Sequence, residues 1–267
     1  MAKAGQVIEP GDLETLQWAT AHLEHPSLAA RLSSMVGTPI EIAVNLIPRP
    51  IYLRVRRRAD SAITKSLKVA VLSLRHDVET NPRNTLYRVL AASTGAVGGL
   101  FGLYALPIEL PVSTTIMLRS IAEIARSEGE HIHHPETQMA CLEVFALGGH
   151  AESDDAAGTG YYGVRAALGW SVSHSARHVA VHGLNAKAPA LVRLISLVAP
   201  RFGAAVTQKT VAQIVPVVGA ATGAAINLAF MNHFQDMARG HFVVRRLERK
   251  YGRELVQASY ETLCGTP

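Results

Sequence analysis

The stretch VLAASTGAVGGLFGLYALPIELPVSTTIMLRSIAEIARSEG, residues 89–129, decides the fold. Its opening part, 89–108, has no charged residue and just reaches the ~20-residue length of a membrane-spanning helix. Glycine and alanine dominate it rather than leucine, and glycines recur four apart, Gly95 with Gly99 and Gly98 with Gly102. Such spacing lets two helix backbones approach closely. From Pro111 onward, apolar residues recur at three and four, which predicts a helix over 111–129 stopped by Gly129. Glu109 stands between Pro107 and Pro111, a carboxylate at the end of an apolar run.

A second run of the same kind lies at 211–234, with Gly219 and Gly223 four apart and with Pro216, Asn227 and Asn232 inside it. Both runs read as buried core helices. An interfacial or re-entrant hairpin is the alternative, and a true span ranks below both.

The rest of the chain also reads as helix. Asp12 caps a first helix over 13–24 and Ser27 a second that ends near Gly37, while Pro135 opens one over 135–148. Further helices are expected over 161–183 and 189–200 and at the C-terminus after Gly252, with 148–160 as a flexible acidic linker. Two basic amphipathic stretches, 51–75 and 239–253, complete the pattern. The expected fold is all-α, one helical domain over 1–267 around two glycine-spaced apolar helices, with the basic helices outside.

Composition narrows the function. The 267 residues are 48% hydrophobic and 18% charged, with a net charge of +5 and a pI near 9.4. The charged share is below the usual quarter. The basic excess suits an anionic surface and is too small to argue for nucleic acid, so no nucleic-acid partner is expected. Cys141 and Cys264 make no disulfide framework, and the N-terminal stretch has no secretory h-region. Both point to a reducing cytoplasmic setting or the inner face of the cytoplasmic membrane.

Polar clusters within this apolar frame are the candidate sites. Thr115, Arg119 and Glu123 fall on one helix face at steps of four, with Thr114 and Arg126 close by. Glu109 precedes them, at the positive end of the expected helix. A structural ion-pair network is the preferred reading, and a binding or catalytic role the alternative. Asn232, His233, Asp236, Arg239 and His241 form a second cluster. His233 and Asp236 are three apart, a spacing that can bind a divalent metal if a third ligand such as Glu109 or Glu143 joins them. His241 lies about 80° from His233 around the helix. His174, His178 and His182 stripe one helix, and HIHH at 131–134 sits in a loop, both read first as polar surface. Arg54, Arg56, Arg57, Arg58, Arg245 and Arg246 are the candidates for contact with anionic headgroups. There is no P-loop, HExxH, GxSxG or CxxC pattern.

Four stretches together resemble one family: TGAVGGLFGLYALPIELPVSTTIMLRSIAEIARSEGE, PETQMACLEVFALGG, GYYGVRAAL and QIVPVVGAATGAAINLAFMNHFQDMARGHFVVRRLERKYG. They are similar to the EcsC family of bacterial proteins, and the likeness runs from about residue 30 to residue 252. That family is named after the third product of an operon that encodes an ABC transporter tied to secretion. The resemblance implies an accessory protein, cytoplasmic or peripheral to the membrane, and supplies no reaction, cofactor or catalytic residue. The expected function is therefore binding of a lipid, an anionic membrane surface or a membrane transport protein, with no cofactor required. A hydrolase or metal-dependent enzyme using Glu109, His233 and Asp236 is the alternative, and a self-associating structural protein a third reading.

Overall fold

The computed structural model describes residues 7–24, 28–37, 65, 69, 106–148, 160–185, 187–214 and 220–265. Among them are eight helices and no strand: α1 (Pro10–Glu24), α2 (Leu28–Val36), α3 (Leu106–Ser127), α4 (Pro135–Leu147), α5 (Tyr161–His182), α6 (Pro189–Ile214), α7 (Ala220–Tyr251) and α8 (Arg253–Cys264). The all-α reading is what the structure shows. Glycines 95, 98, 99, 102 and 219, the first apolar run up to residue 105, the basic stretch 51–75 except Lys65 and Val69, and the linker interior 149–159 lie outside the described residues.

Helix α7 is the axis. Its 32 residues extend about 48 Å at 1.5 Å per residue, and α1, α2, α3, α4, α6 and α8 all pack on it. Beside it, α4 is buried over every residue from Thr137 to Leu147. A helix covered all round must be apolar all round, and PETQMACLEVFAL nearly is. Phe145 of α4, Phe202 of α6 and Phe230 and Phe234 of α7 form the aromatic centre. Phe145 lies 4.6 Å from Phe202 and 5.5 Å from Phe234 between ring centroids.

Three helices are longer than the sequence predicts: α1 starts at Pro10, which puts Asp12 in its first turn rather than at its cap, and α3 and α6 run through prolines. Helix α3 starts at Leu106, so Pro111 lies inside it and Glu109 belongs to the helix rather than preceding it. Pro107 occupies the first turn, where no N–H is needed, and Pro111 follows close enough that few backbone bonds are lost. Helix α6 runs to Ile214 through Pro200, where a stop is expected. Leu194, Ile195, Val198, Phe202, Ala205 and Val206 are all buried, so one apolar stripe continues across the proline. Pro200 itself is exposed, and the missing N–H faces water. Burial on one side outweighs the break on the other.

Helix α3 ends where predicted. Gly129 has φ +79°, its N–H donates to Arg126 O at 3.0 Å and that of Glu130 donates to Ala125 O at 3.0 Å. This is a Schellman turn, and it needs a residue without Cβ strain. Its consequence is positional, because it delivers Glu130 to the side of α7.

Close approach is needed at two further glycines. A Cβ on Gly148 would lie 2.5 Å from the Phe234 ring, and one on Gly240 would lie 2.9 Å from Leu23 Cγ. Phe234 is fully buried among other rings, so it has nowhere to go. We expect Gly148→Ala to lower stability by about 1–3 kcal/mol through overpacking, measured by chemical denaturation, whereas Gly169→Ala, with open space around it, leaves stability unchanged or raised.

Candidate functional site

The polar side chains converge where α7 passes α1, α4, α5 and α8. Glu130 is buried there. Arg245 donates to it through Nε at 2.8 Å and Nη2 at 3.3 Å, Arg249 pairs with it, and the Thr137 hydroxyl donates at 2.9 Å. Burial pushes the Glu130 carboxyl up, but Arg245, Thr137 and Arg249 outweigh it and hold it below the usual glutamate range.

A second carboxylate, Glu248 of α7, accepts both arms of Arg165 at 2.8 and 3.0 Å and the Tyr162 hydroxyl at 3.1 Å. The fork-to-fork geometry is specific to arginine. The same guanidinium lies 5.3 Å from the Tyr161 ring centre and 5.5 Å from that of Tyr162. A third, Glu24, closes α1 and starts α5: it accepts the Tyr161 backbone N–H at 3.0 Å and the Tyr260 hydroxyl at 2.8 Å. A carboxylate at a helix N-terminus meets the positive end of the helix dipole.

Inside this shell lie Glu143 of α4 and His241 of α7, 4% and 0% exposed. His241 Nε2 is 3.8 Å from Glu143 Oε2, too long for a hydrogen bond. Burial, followed by the charges of Arg165 and Arg245, holds the imidazole well below its ordinary value, so the ring is neutral at pH 7. Burial pushes the Glu143 carboxyl up to about 7, with Arg165 and Arg245 pulling the other way. Burial also keeps the Tyr161 phenol protonated. Tyr161 and His241 Nδ1 are 3.0 Å apart, so the hydroxyl donates to Nδ1 and the ring proton sits on Nε2, facing Glu143. That tautomer is assigned from the network. Chemically, the centre can hold one proton near neutrality on Glu143.

The structure separates most of the residues that the sequence groups. His233 donates from Nε2 to Gly148 O at 2.7 Å, whereas Asp236 pairs with Arg31 at 3.1 Å. The two share a helix face and serve different neighbours. Among the described residues, no group of three His, Cys, Asp or Glu side chains could hold a metal ion. Arg239 is exposed, its guanidinium 5.7 Å from the Trp18 ring centre. Thr115 donates to Pro111 O at 2.8 Å, within its own helix. Thr114 Oγ1 and Arg119 Nε are buried without a hydrogen-bond partner among the described residues. Glu123 is buried and engaged, but no Arg119–Glu123 ion pair forms among the described residues. The side chain of Glu109 lies outside them, as do Arg54, Arg56, Arg57 and Arg58. Arg245 and Arg246 are not a free cationic face: Arg245 holds Glu130, and Arg246 lies 2.9 Å from Glu128.

Of the candidates, His241 and Arg245 belong to the central network, Arg245 as the partner of Glu130. Glu143 enters the sequence reading only as a spare metal ligand. Its signal is a carboxylate inside the apolar run MACLEVFAL, residues 139–147. Glu24, Glu130, Tyr161, Arg165 and Glu248 give no such signal.

The sequence profile of the EcsC protein family matches residues 13–247. The chain belongs to the EcsC family. The matched span includes Glu24, Glu130, Glu143, Tyr161, Arg165, His241 and Arg245 of the network. No curated protein matches the chain, and no solved structure does.

Two predictions follow from the charges of this EcsC-family core. Glu130→Gln leaves two arginines without their carboxylate and costs about 2 kcal/mol, below the ~3–5 kcal/mol of a fully buried pair because Arg249 is half in water; urea unfolding at pH 7 measures it. Glu143 has the opposite sign. Its folded pKa, about 7, exceeds the ordinary 4.5, so the fold binds the proton more tightly than the unfolded chain. Stability falls as pH rises from 4.5 through 7, by a penalty on the order of 3 kcal/mol. Glu143→Gln removes that penalty: its melting temperature exceeds the parent's at pH 8, and the gap shrinks towards zero at pH 4.5. His241, with a lowered folded pKa, works the other way in both proteins, losing stability as pH falls below 6.5.

Proposed function

We propose that this EcsC-family chain acts by binding rather than catalysis, docking on the anionic inner face of the cytoplasmic membrane as an accessory to transport or secretion machinery. One asymmetry carries the reading. Residues 156–235 contain six lysines and arginines and no aspartate or glutamate. The carboxylates of Glu9, Asp12, Glu128, Glu130, Asp236 and Glu248 are meanwhile engaged by arginine or lysine side chains. Arg165 of this part holds Glu248, while Arg177, Lys187 and Arg193 are exposed, so cationic charge is presented outward in one continuous part of the chain. Each such charge near an anionic bilayer is worth about 1 kcal/mol.

Two observations agree with binding. The groups best suited to acid–base work, His241 and Glu143, are enclosed by side chains. Within the carboxylate-free part, Pro189–Ala212 is long and apolar enough to cross a membrane by length and composition, yet half of its most apolar window is buried. Its Phe202 sits in the aromatic centre. That is the profile of a core helix whose outer face mixes apolar side chains, Val192 and Leu197, with Arg193, suited to lying on an anionic bilayer.

Flotation tests the reading. The purified chain is expected to rise with phosphatidylglycerol vesicles at low salt, to stay down with phosphatidylcholine alone, and to lose most of its binding at about 0.5 M salt, where screening shortens to a few ångströms. A protein that stays at the bottom of the gradient with anionic vesicles at low salt overturns it.

A further inference from the structure

We infer that the outward face shared by α5 and α6 is the surface that meets the anionic bilayer, with Trp170 entering the headgroup boundary and Arg177 and Arg193 taking lipid phosphates. This rests on the membrane-binding reading and assigns it a place. Nine large apolar side chains are exposed among the described residues, and four of them, Trp170, Val181, Val192 and Leu197, lie on these two helices. On α5, Trp170, His174, Arg177 and Val181 fall within about 60° of one another at 100° per residue. On α6, Arg193 and Leu197 are one turn apart. The two stripes are side by side, because the Arg193 guanidinium lies 4.7 Å from the Trp170 ring centre, and Ser175 donates to Ala190 O at 2.9 Å across the helix pair.

Trp170 is 57% exposed and Val181 76%. His174 stacks flat on the indole, 4.9 Å between centroids and 9° between planes. The ring is thus braced on the surface by a histidine and an arginine rather than folded into the core. An indole beside a guanidinium, flanked by aliphatic side chains, is the composition that settles at a membrane–water boundary. Neither helix contains an aspartate or glutamate, so nothing on this face repels phosphate. Lys187, exposed in the α5–α6 connection, adds a further cation. The complementary surface is a sheet of phosphates over hydrocarbon.

The chain has two tryptophans, so Trp18→Phe leaves Trp170 as sole reporter. With phosphatidylglycerol vesicles, its emission is expected to move to shorter wavelength and to be quenched by lipids brominated in the acyl chain. Arg177→Gln with Arg193→Gln, both at exposed positions, is expected to weaken vesicle binding at least tenfold, given about 1 kcal/mol per charge, with an unchanged circular dichroism spectrum. Vesicles that bind the protein while Trp170 emission stays fixed overturn this face and leave the membrane reading intact. The face also falls if the double variant binds as tightly as the parent. An equal response to phosphatidylcholine overturns the recognition of phosphate charge. No binding to either lipid removes both readings. A response only to an acidic soluble protein would assign the face to a protein partner and overturn the lipid.

Discussion

Helix α7 must be the core and carry charge at once, and the rest of the architecture answers that constraint. With six helices packed on it, a polar group on α7 either finds a partner at its own level or leaves a buried charge unpaired, at a cost of several kcal/mol. Four of the six, and α5 beside them, supply one. Helix α1 gives Asp12 to Lys250, α2 gives Arg31 to Asp236, and α3 gives the Ser120 hydroxyl to Gln235. The chain after α4 gives the Gly148 carbonyl to His233, and α5 gives Arg165 to Glu248. Apolar packing tolerates sliding along a helix axis, whereas these pairs do not. They act as pins for the register of each helix against the axis, and the Schellman turn at Gly129 aims one of them, Glu130.

The Glu143–His241 centre belongs to a different class. The ionic pins hold charged partners in contact. Here the ring is neutral and the carboxyl is poised near neutrality at 3.8 Å, so no full ion pair stabilises either. Burial, the largest influence on both, moves the two in opposite directions, the acid up and the base down, until both favour the uncharged form. The surrounding arginines, Arg165 and Arg245, are already committed to Glu248 and Glu130 and reach Glu143 only through their field. The centre is therefore a cost that the fold carries, set inside a shell of stabilising pairs.

The helical class was legible because it rests on periodicity, a local signal. The stops at Gly129 and Gly252 and the start at Pro135 were legible for the same reason, since caps are written in single residues. Pro111 and Pro200 misled because local rules break a helix there, whereas Pro111 lies so near the start of α3 that few backbone bonds are lost, and the apolar stripe of α6 continues past Pro200, where tertiary burial decides. The site was hardly legible. Arg119 and Glu123 have the spacing of a helix pair, yet Arg119 Nε is left without a hydrogen-bond partner among the described residues; His233 and Asp236 have the spacing of two ligands, but one turns to the chain after α4 and the other to α2. The pairs that form, Arg165 with Glu248 and Arg245 with Glu130, join residues far apart in sequence. No spacing rule connects them before the helices are docked.

The pins also explain why one surface is left over. Arginines on α7 and α5 consume carboxylates from α1, α7 and the turn after α3, and those residues are fixed by the needs of folding. Arg177 and Arg193 are exposed and hold no carboxylate among the described residues, and Trp170 braces one of them without burying either. Surface residues of this kind contribute little to stability, so folding alone does not explain an indole kept 57% in water against a guanidinium. A side chain that folding does not require, exposed at a hydrophobic cost and steadied on both sides, is most economically explained by a second phase that covers it.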